Sequence, residues 1–208
     1  MQRWTFNTVP TSLQLAEIEK ALRHGGVVLL PTDTIYGLHA LATDQSAADR
    51  VAAIKGREDT KPFVVLGASV EQLEEIGIDI RPEVRNALRS LWPAPLTAIL
   101  PLRRPVPASR GASTLAVRIP ALDWLRSLVE RTGPLLSTSA NRSGEPPVDS
   151  PENLARELQN SLDGLADGGL CHAEPSTILD FTSDPPRLIR EGSQLFSQKV
   201  WKTLRKSL

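Results

Sequence analysis

The residues of this chain that could do chemistry fall in six short segments, and they are rich in hydroxyls and cations. Pro31-Thr32-Asp33-Thr34-Ile35-Tyr36-Gly37-Leu38 sets two hydroxyls, a carboxylate and a phenol behind a short apolar run. At the end of a strand such groups can hold a ligand, and they can equally close a turn on their own backbone. Lys55, Arg57 and Lys61 crowd one helix end and the loop after it. Cations there complement the helix dipole, at about 0.3–1 kcal/mol each. They would also make a phosphate clamp, with arginine as a planar fork and lysine as a mobile point charge. Arg118 lies in the apolar stretch Thr114-Leu115-Ala116-Val117-Arg118-Ile119-Pro120, and a strand arginine aimed into a pocket calls for an anion. Ser137-Thr138-Ser139-Ala140-Asn141-Arg142-Ser143-Gly144 is a dense run of small donors. It could cradle phosphate or ribose, or bond only to its own loop. Ser176-Thr177-Ile178-Leu179-Asp180 and Arg190-Glu191-Gly192 bound strands near the C-terminal end, and neither is specific alone.

Several common signatures are missing. There is no Walker A pattern, no Gly-x-Gly-x-x-Gly and no His-Glu-x-x-His. His24, His39 and His172 are scattered, and no second Cys/His cluster completes a zinc site with Cys171 and His172. A nucleotide, if bound, must be held by side-chain cations and hydroxyls.

The elements that must position these groups alternate between short apolar runs and amphipathic stretches. Leu13, Leu15, Ile18, Ala21 and Leu22 predict a helix over Thr11 to His24, capped by Thr11 or Ser12 and ended by Gly25-Gly26. The whole start, Met1 to Lys20, reads as turn plus helix. Val27–Leu30 is a buried strand stopped by Pro31 and feeding a loop to Gly37. Helices follow at about Ser46–Lys55, Val70–Ile76, Pro82–Leu91, Leu122–Arg131 and Pro151–Leu158. Strands are expected at Phe63–Leu66, Leu96–Leu100, Thr114–Ile119, Leu135–Ser137, Ser176–Phe181 and Arg187–Ile189. A tail helix over about 193–206 carries Phe196, Val200 and Leu204 on one face, which need burial, and Lys199, Lys202, Arg205 and Lys206 elsewhere. This alternation predicts an α/β domain with a mixed, largely buried sheet.

The bulk composition sets bounds. With 208 residues, 40% apolar and 23% charged, the chain suits one globular domain with a sizeable core. Its 24 basic residues balance 24 acidic ones. That argues against a non-specific nucleic-acid binder and still allows a local basic pocket. A single cysteine permits no internal disulfide, which fits a reducing cytoplasm. The apolar runs are strand-sized, so no targeting segment and no membrane span are expected.

Taken together and in order, the six segments resemble the YrdC-like family of L-threonylcarbamoyladenylate synthases. Pro31–Leu38 is similar to its Pro-Thr-(Asp/Glu)-Thr-x-Tyr-Gly-Leu signature, and Lys55 and Arg57 to its Lys-x-Arg motif. Trp92-Pro93-Ala94-Pro95-Leu96-Thr97 resembles Trp-Pro-Gly-Pro-x-Thr. Ala116–Pro120 resembles Ala-Val-Arg-x-Pro, Ser139-Ala140-Asn141 resembles Ser-x-Asn, and Ser176-Thr177-Ile178 with Arg190-x-Gly192 completes the set. The match spans about residues 13–192. It implies a single YrdC-like domain over 1–208, with a twisted mixed sheet, flanking helices and a deep, positively charged concave face. The activity implied joins L-threonine, bicarbonate or CO2, and ATP into L-threonylcarbamoyladenylate and pyrophosphate. That product serves modification of adenosine 37 in tRNAs reading codons that begin with A.

Carried onto this sequence, the resemblance implies that Thr34, Arg118 and Ser176 contact threonine, with Arg118 on its carboxylate. Arg57, Lys61, Thr114, Ser139, Asn141, Pro147 and Arg190 would line the ATP site. Lys55 and Arg57 would supply catalytic charge near the phosphates. Mg2+ would come with the nucleotide, with no protein metal site. The chain is similar to the short family form, which hands its product to partner proteins of the transfer step, with tRNA itself as a further contact. Four positions depart from the pattern. Ala94 stands for a glycine, so its turn must avoid positive φ or accept strain. His39 stands where glycine is common, Leu66 where some members have a threonine-contacting histidine, and Glu191 where proline is common. Two other readings come from different classes. One is a non-catalytic RNA-binding module using the same cationic cleft. The other is the YrdC-like part of a hydrogenase maturation factor, whose zinc-finger cysteines this chain lacks.

Overall fold

The computed structural model describes residues 1–56, 61–142, 144–154, 156–171 and 174–207, and at 194–195, 199 and 205–207 the backbone alone. Arg57 and His172 lie outside the described residues. The chain runs β1 (Gln2–Thr5), α1 (Ser12–Arg23), β2 (Val28–Leu30), β3 (Gly37–Leu41), α2 (Gln45–Lys55), β4 (Val64–Leu66), α3 (Val70–Glu75) and α4 (Pro82–Leu91). It continues β5 (Leu96–Pro101), β6 (Thr114–Arg118), α5 (Asp123–Thr132), β7 (Leu135–Ser139), α6 (Arg156–Asn160), β8 (Gly164–Asp167), β9 (Thr177–Asp180), β10 (Arg187–Arg190) and α7 (Gln194–Ser207).

Local chemistry explains most of these boundaries. The Thr11 hydroxyl accepts from Gln14 N at 3.2 Å, and the Gln14 side chain accepts from Thr11 N at 2.9 Å, a reciprocal box that starts α1. The Asp44 carboxylate caps α2 through Ala47 N, and Gly56 at φ 56° closes it in the left-handed region.

All described strands join one mixed ten-stranded sheet in the order β1-β8-β2-β3-β7-β4-β6-β5-β9-β10. Pairs β1/β8, β2/β8, β4/β6 and β5/β9 are parallel, and the rest are antiparallel. Three strands correct the reading of the sequence. Gln2–Thr5 is a strand rather than part of a turn, and it sits at the sheet edge with only Trp4 buried. Gly37–Leu41 continues past the polar turn as a fully paired central strand. Gly164–Asp167 fills the gap between β1 and β2. The helix expected at Pro151–Leu158 is instead a 3-10 turn, Pro151–Asn153, followed by α6.

The core lies on both faces of the sheet. One cluster takes Ala48, Val51 and Ala52 of α2, Leu73 of α3, Leu88 of α4, and Val200 and Leu204 of α7. So the tail helix packs on the domain. A smaller cluster takes Ile18 and Leu22 of α1 and Leu125 and Leu128 of α5 against Val28, Leu30, Leu66 and Leu135. Among the described residues, no helix is long and apolar enough to cross a membrane.

Candidate functional site

Strand register lines up the groups that matter. Gly37 faces Ser139, and Ser137 faces His39 on one side and Val64 on the other. Val64 pairs in turn with Ala116, two residues from Arg118. Side chains of a strand alternate between faces. Gly37, Ser137, Ser139, Val64 and Arg118 therefore share the face on which α1 and α5 pack. Beyond those helices the same face opens on a cavity of about 210 Å³. Thr32, Thr34, Thr97, Arg118, Ser139, Ser176 and Arg190 are among its polar lining residues. Among the described residues, no aspartate or glutamate lines it.

The turn after β2 is organised by Thr32. Its hydroxyl donates to the Ile35 carbonyl at 2.8 Å and accepts from Thr34 N and Ile35 N at 3.1 and 3.2 Å. The Thr32 proton is thus already used. The two threonine hydroxyls lie 2.9 Å apart, and Thr32 has no second proton to give Thr34. Arg118 Nη1 donates to Thr34 Oγ1 at 2.8 Å. One lone pair of Thr34 remains, as an acceptor at the cavity.

Arg118 is buried, with its side chain 6% exposed. Burial pulls its pKa below the ordinary arginine value, Asp33 pushes it back up, and Arg190 lowers it further. It remains a cation. Its anionic neighbour is Asp33, whose Oδ1 lies 3.5 Å from Nη2. The other Asp33 oxygen accepts from Ala121 N at 2.9 Å. Arg118 Nε and Asp33 Oδ1 are both buried without a hydrogen-bond partner. The guanidinium therefore has donor capacity in hand.

Ser176 and Arg190 form the adjoining wall, on the far side of β5 from Arg118. Arg190 Nε and Nη2 grip the Ser176 carbonyl at 3.1 and 2.9 Å, and Nη2 also reaches Ser176 Oγ at 3.2 Å. Gly192 allows this approach, because a Cβ there would stand 2.4 Å from Pro175 O and 2.8 Å from Thr177 N.

Lys55 has a different place from the one expected. It is 4% exposed and does not line the cavity. Its ammonium donates to Ser139 O at 2.7 Å, Asn141 O at 2.5 Å and Asn141 Oδ1 at 2.6 Å. It pins the loop whose Ser139 hydroxyl, 2.5 Å from Asn141 Oδ1, lines the cavity. Asn141 and Pro147 border a second hollow of about 470 Å³ at the end of that loop. Thr114 shares its face with Arg118 but lies at the far end of β6, roughly 13 Å along the strand. Lys61 is exposed beside Pro62 at the rim.

The departures from the family pattern have visible consequences. Ala94 avoids positive φ, since Arg110 is the one non-glycine described residue that adopts it. Leu66 is fully buried in the cluster under α5, away from the cavity lining. His39 lies under the floor, where Ser137 Oγ is 3.2 Å from its Nε2. Burial, with a smaller push from Arg118, lowers its pKa to about 3, so the ring is neutral. Thr97 was not among the residues expected to form the site. It stands beside Arg118 in the β5/β6 ladder and was signalled only as the last residue of the Trp92–Thr97 motif.

Comparison with known proteins bears on the family and the fold. A Sua5/YciO/YrdC family model described as "Telomere recombination" matches residues 20–192. The chain is 37% identical over 175 residues to threonylcarbamoyl-AMP synthase of Pyrococcus abyssi, covering 82% of this chain and 52% of that protein. It is 33% identical over 184 residues to the Bacillus subtilis threonylcarbamoyl-AMP synthase, covering 86% and 53%. The chain thus spans about half the length of these relatives. Its fold matches that of P. abyssi Sua5 complexed with L-threonine at a TM-score of 0.88, with 32% identity, 96% of this chain and 61% of that one. It matches E. coli YciO at 0.82, with 25% identity, over 92% and 95%. This chain belongs to the Sua5/YciO/YrdC family.

Proposed function

We propose that this chain is an L-threonylcarbamoyladenylate synthase, acting on L-threonine, bicarbonate or CO2, and ATP. The observation that carries the reading is the polarity of the cavity. Arg118 and Ser176 offer donors on one side, and Thr34 offers an acceptor 2.8 Å from the Arg118 guanidinium. An amino acid presents the complement: a carboxylate for the donors, and an amine or hydroxyl for Thr34.

The chemistry needs no protein nucleophile. The threonine amine adds to CO2 and loses a proton, giving a carbamate. A carbamate oxygen then attacks the α-phosphorus of ATP. The bond from that phosphorus to the bridging oxygen breaks, and pyrophosphate leaves. Such a transfer is served mainly by positioning and charge neutralisation. Arg190, Arg57 and Lys61 are assigned to the phosphates, Ser139, Asn141, Pro147 and Thr114 to the rest of the nucleotide, and Lys55 to holding the Ser139–Asn141 loop. Among the described residues the cavity lining offers a divalent cation no carboxylate, so Mg2+ would come with the nucleotide, on triphosphate oxygens and water. Enclosure protects the carbamate, which loses CO2 in open water. The adenylate would pass to partner proteins that modify adenosine 37 of tRNA. No observation favours the RNA-binding reading, and among the described residues the lining has no aromatic ring on which a base could stack.

The test is pyrophosphate release by the purified chain with ATP, Mg2+ and bicarbonate. Release is expected with L-threonine and not without it. No release under either condition, together with no thermal shift on adding ATP, would overturn the reading.

A further inference from the structure

We infer that Thr97 is a positioning residue, whose hydroxyl makes Ser176 a hydrogen-bond donor to the ligand's carboxylate. The inference rests on the threonine reading of the cavity. Thr97 Oγ1 and Ser176 Oγ are 2.8 Å apart, and either could donate. A hydroxyl has one proton and two lone pairs, so the choice can be argued. Ser176 Oγ already accepts from Arg190 Nη2 at 3.2 Å. One of the two hydroxyls must keep a proton that no described protein group accepts; if Ser176 donated to Thr97, that proton would sit on Thr97, 1% exposed, rather than on the more open Ser176, 6% exposed. A buried donor without a partner is costly. If Thr97 donates instead, both lone pairs of Ser176 are filled and its own proton is left over. Ser176 lines the cavity, next to the face carrying Arg118. That proton then points to an acceptor in the cavity, and a carboxylate on Arg118 is one.

The backbone holds this arrangement rigidly. Thr177 N donates to Pro95 O at 3.0 Å, and Trp92 Nε1 donates to Leu96 O at 2.7 Å. The motif Trp92–Thr97 therefore fixes the height of Thr97 against Ser176. Thr97 does not need to touch the ligand. It sets which way the Ser176 hydroxyl points.

Two substitutions separate this role from simple packing. Thr97→Val keeps the shape and loses the hydroxyl. Thr97→Ser keeps the hydroxyl and loses a methyl. L-Threonine binding to the full chain, measured by titration calorimetry, requires no turnover. Thr97→Val should weaken L-threonine about tenfold, the effect of one buried hydrogen bond. Thr97→Ser should stay within about twofold of the parent, and ATP affinity should stay within about twofold in both, since neither change touches a charged contact. Packing alone gives the reverse order, with valine better than serine. Equal threonine affinity in parent and Thr97→Val, or a matching loss of ATP affinity, overturns the inference and leaves the threonine site standing. A parent chain that binds no L-threonine overturns both.

Discussion

Arg118 and Asp33 form a buried pair whose removal should separate stability from function. Their side chains are 6% and 8% exposed, and Asp33 keeps one oxygen on Ala121 N. Arg118→Met leaves the Asp33 charge enclosed beside an apolar chain. Removing one member of a buried pair costs about 3–5 kcal/mol. The 3.5 Å separation without a formal hydrogen bond places this pair at the lower end. A loss of about 3 kcal/mol corresponds to a drop of roughly 6–12 °C in Tm for a chain of this size. Asp33→Asn keeps an oxygen for Ala121 N and removes the charge, so Arg118→Met with Asp33→Asn should recover most of that loss. Threonine-dependent activity should not recover. The carboxylate clamp is gone in both variants, and about a hundredfold loss follows from removing a charged, desolvated donor. The assay is a double-mutant cycle in urea, with pyrophosphate release read in parallel. A coupling energy below about 0.5 kcal/mol would refute the pairing argument, because independent sites add to within that margin. Recovery of activity in the double variant would refute the role of Arg118 at the carboxylate.

Other outcomes follow from the same geometry. Lys55→Met removes three donors from the Ser139–Asn141 loop. Amide exchange at residues 139–141 should then quicken before that of β3 and β4, and ATP affinity should fall more than threonine affinity. The neutral His39 makes stability depend on pH. Its pKa falls from 6.5 in the unfolded chain to about 3 when folded, so below 6.5 the unfolded chain takes up a proton that the folded one refuses. Stability should therefore be intact above pH 6.5 and decline by about 1.4 kcal/mol per pH unit as pH falls toward 3. His39→Gln should flatten that dependence in urea titrations at a series of pH values. An unchanged slope would show that other groups dominate.

Much of this was legible in the sequence, for physical reasons. The strands at Val64–Leu66 and Thr114–Arg118 expose no residue and read as apolar runs. The arginine within the second stands out because nothing apolar explains it. Other strands hide their signal. In Gln2–Thr5 only Trp4 is buried, because an edge strand meets the core on one face. Gly37–Leu41 begins with a glycine and carries the buried His39, so neither composition nor alternation marks it. The site was legible wherever a charge had to sit inside. It was less so at Thr97, an ordinary strand threonine until the register brings it to Ser176. The sequence shows the charge of Lys55 and not the carbonyls folded around it.

The most direct test of the account follows the carbon that the reaction must fix. The chain is incubated with ATP, Mg2+, L-threonine and carbon-13 bicarbonate, and the nucleotide products are analysed by mass spectrometry. The account predicts a threonylcarbamoyl adenylate carrying the label, absent without threonine and lost in Arg118→Met. An adenylate of threonine without the label, or ATP hydrolysis alone, would contradict it.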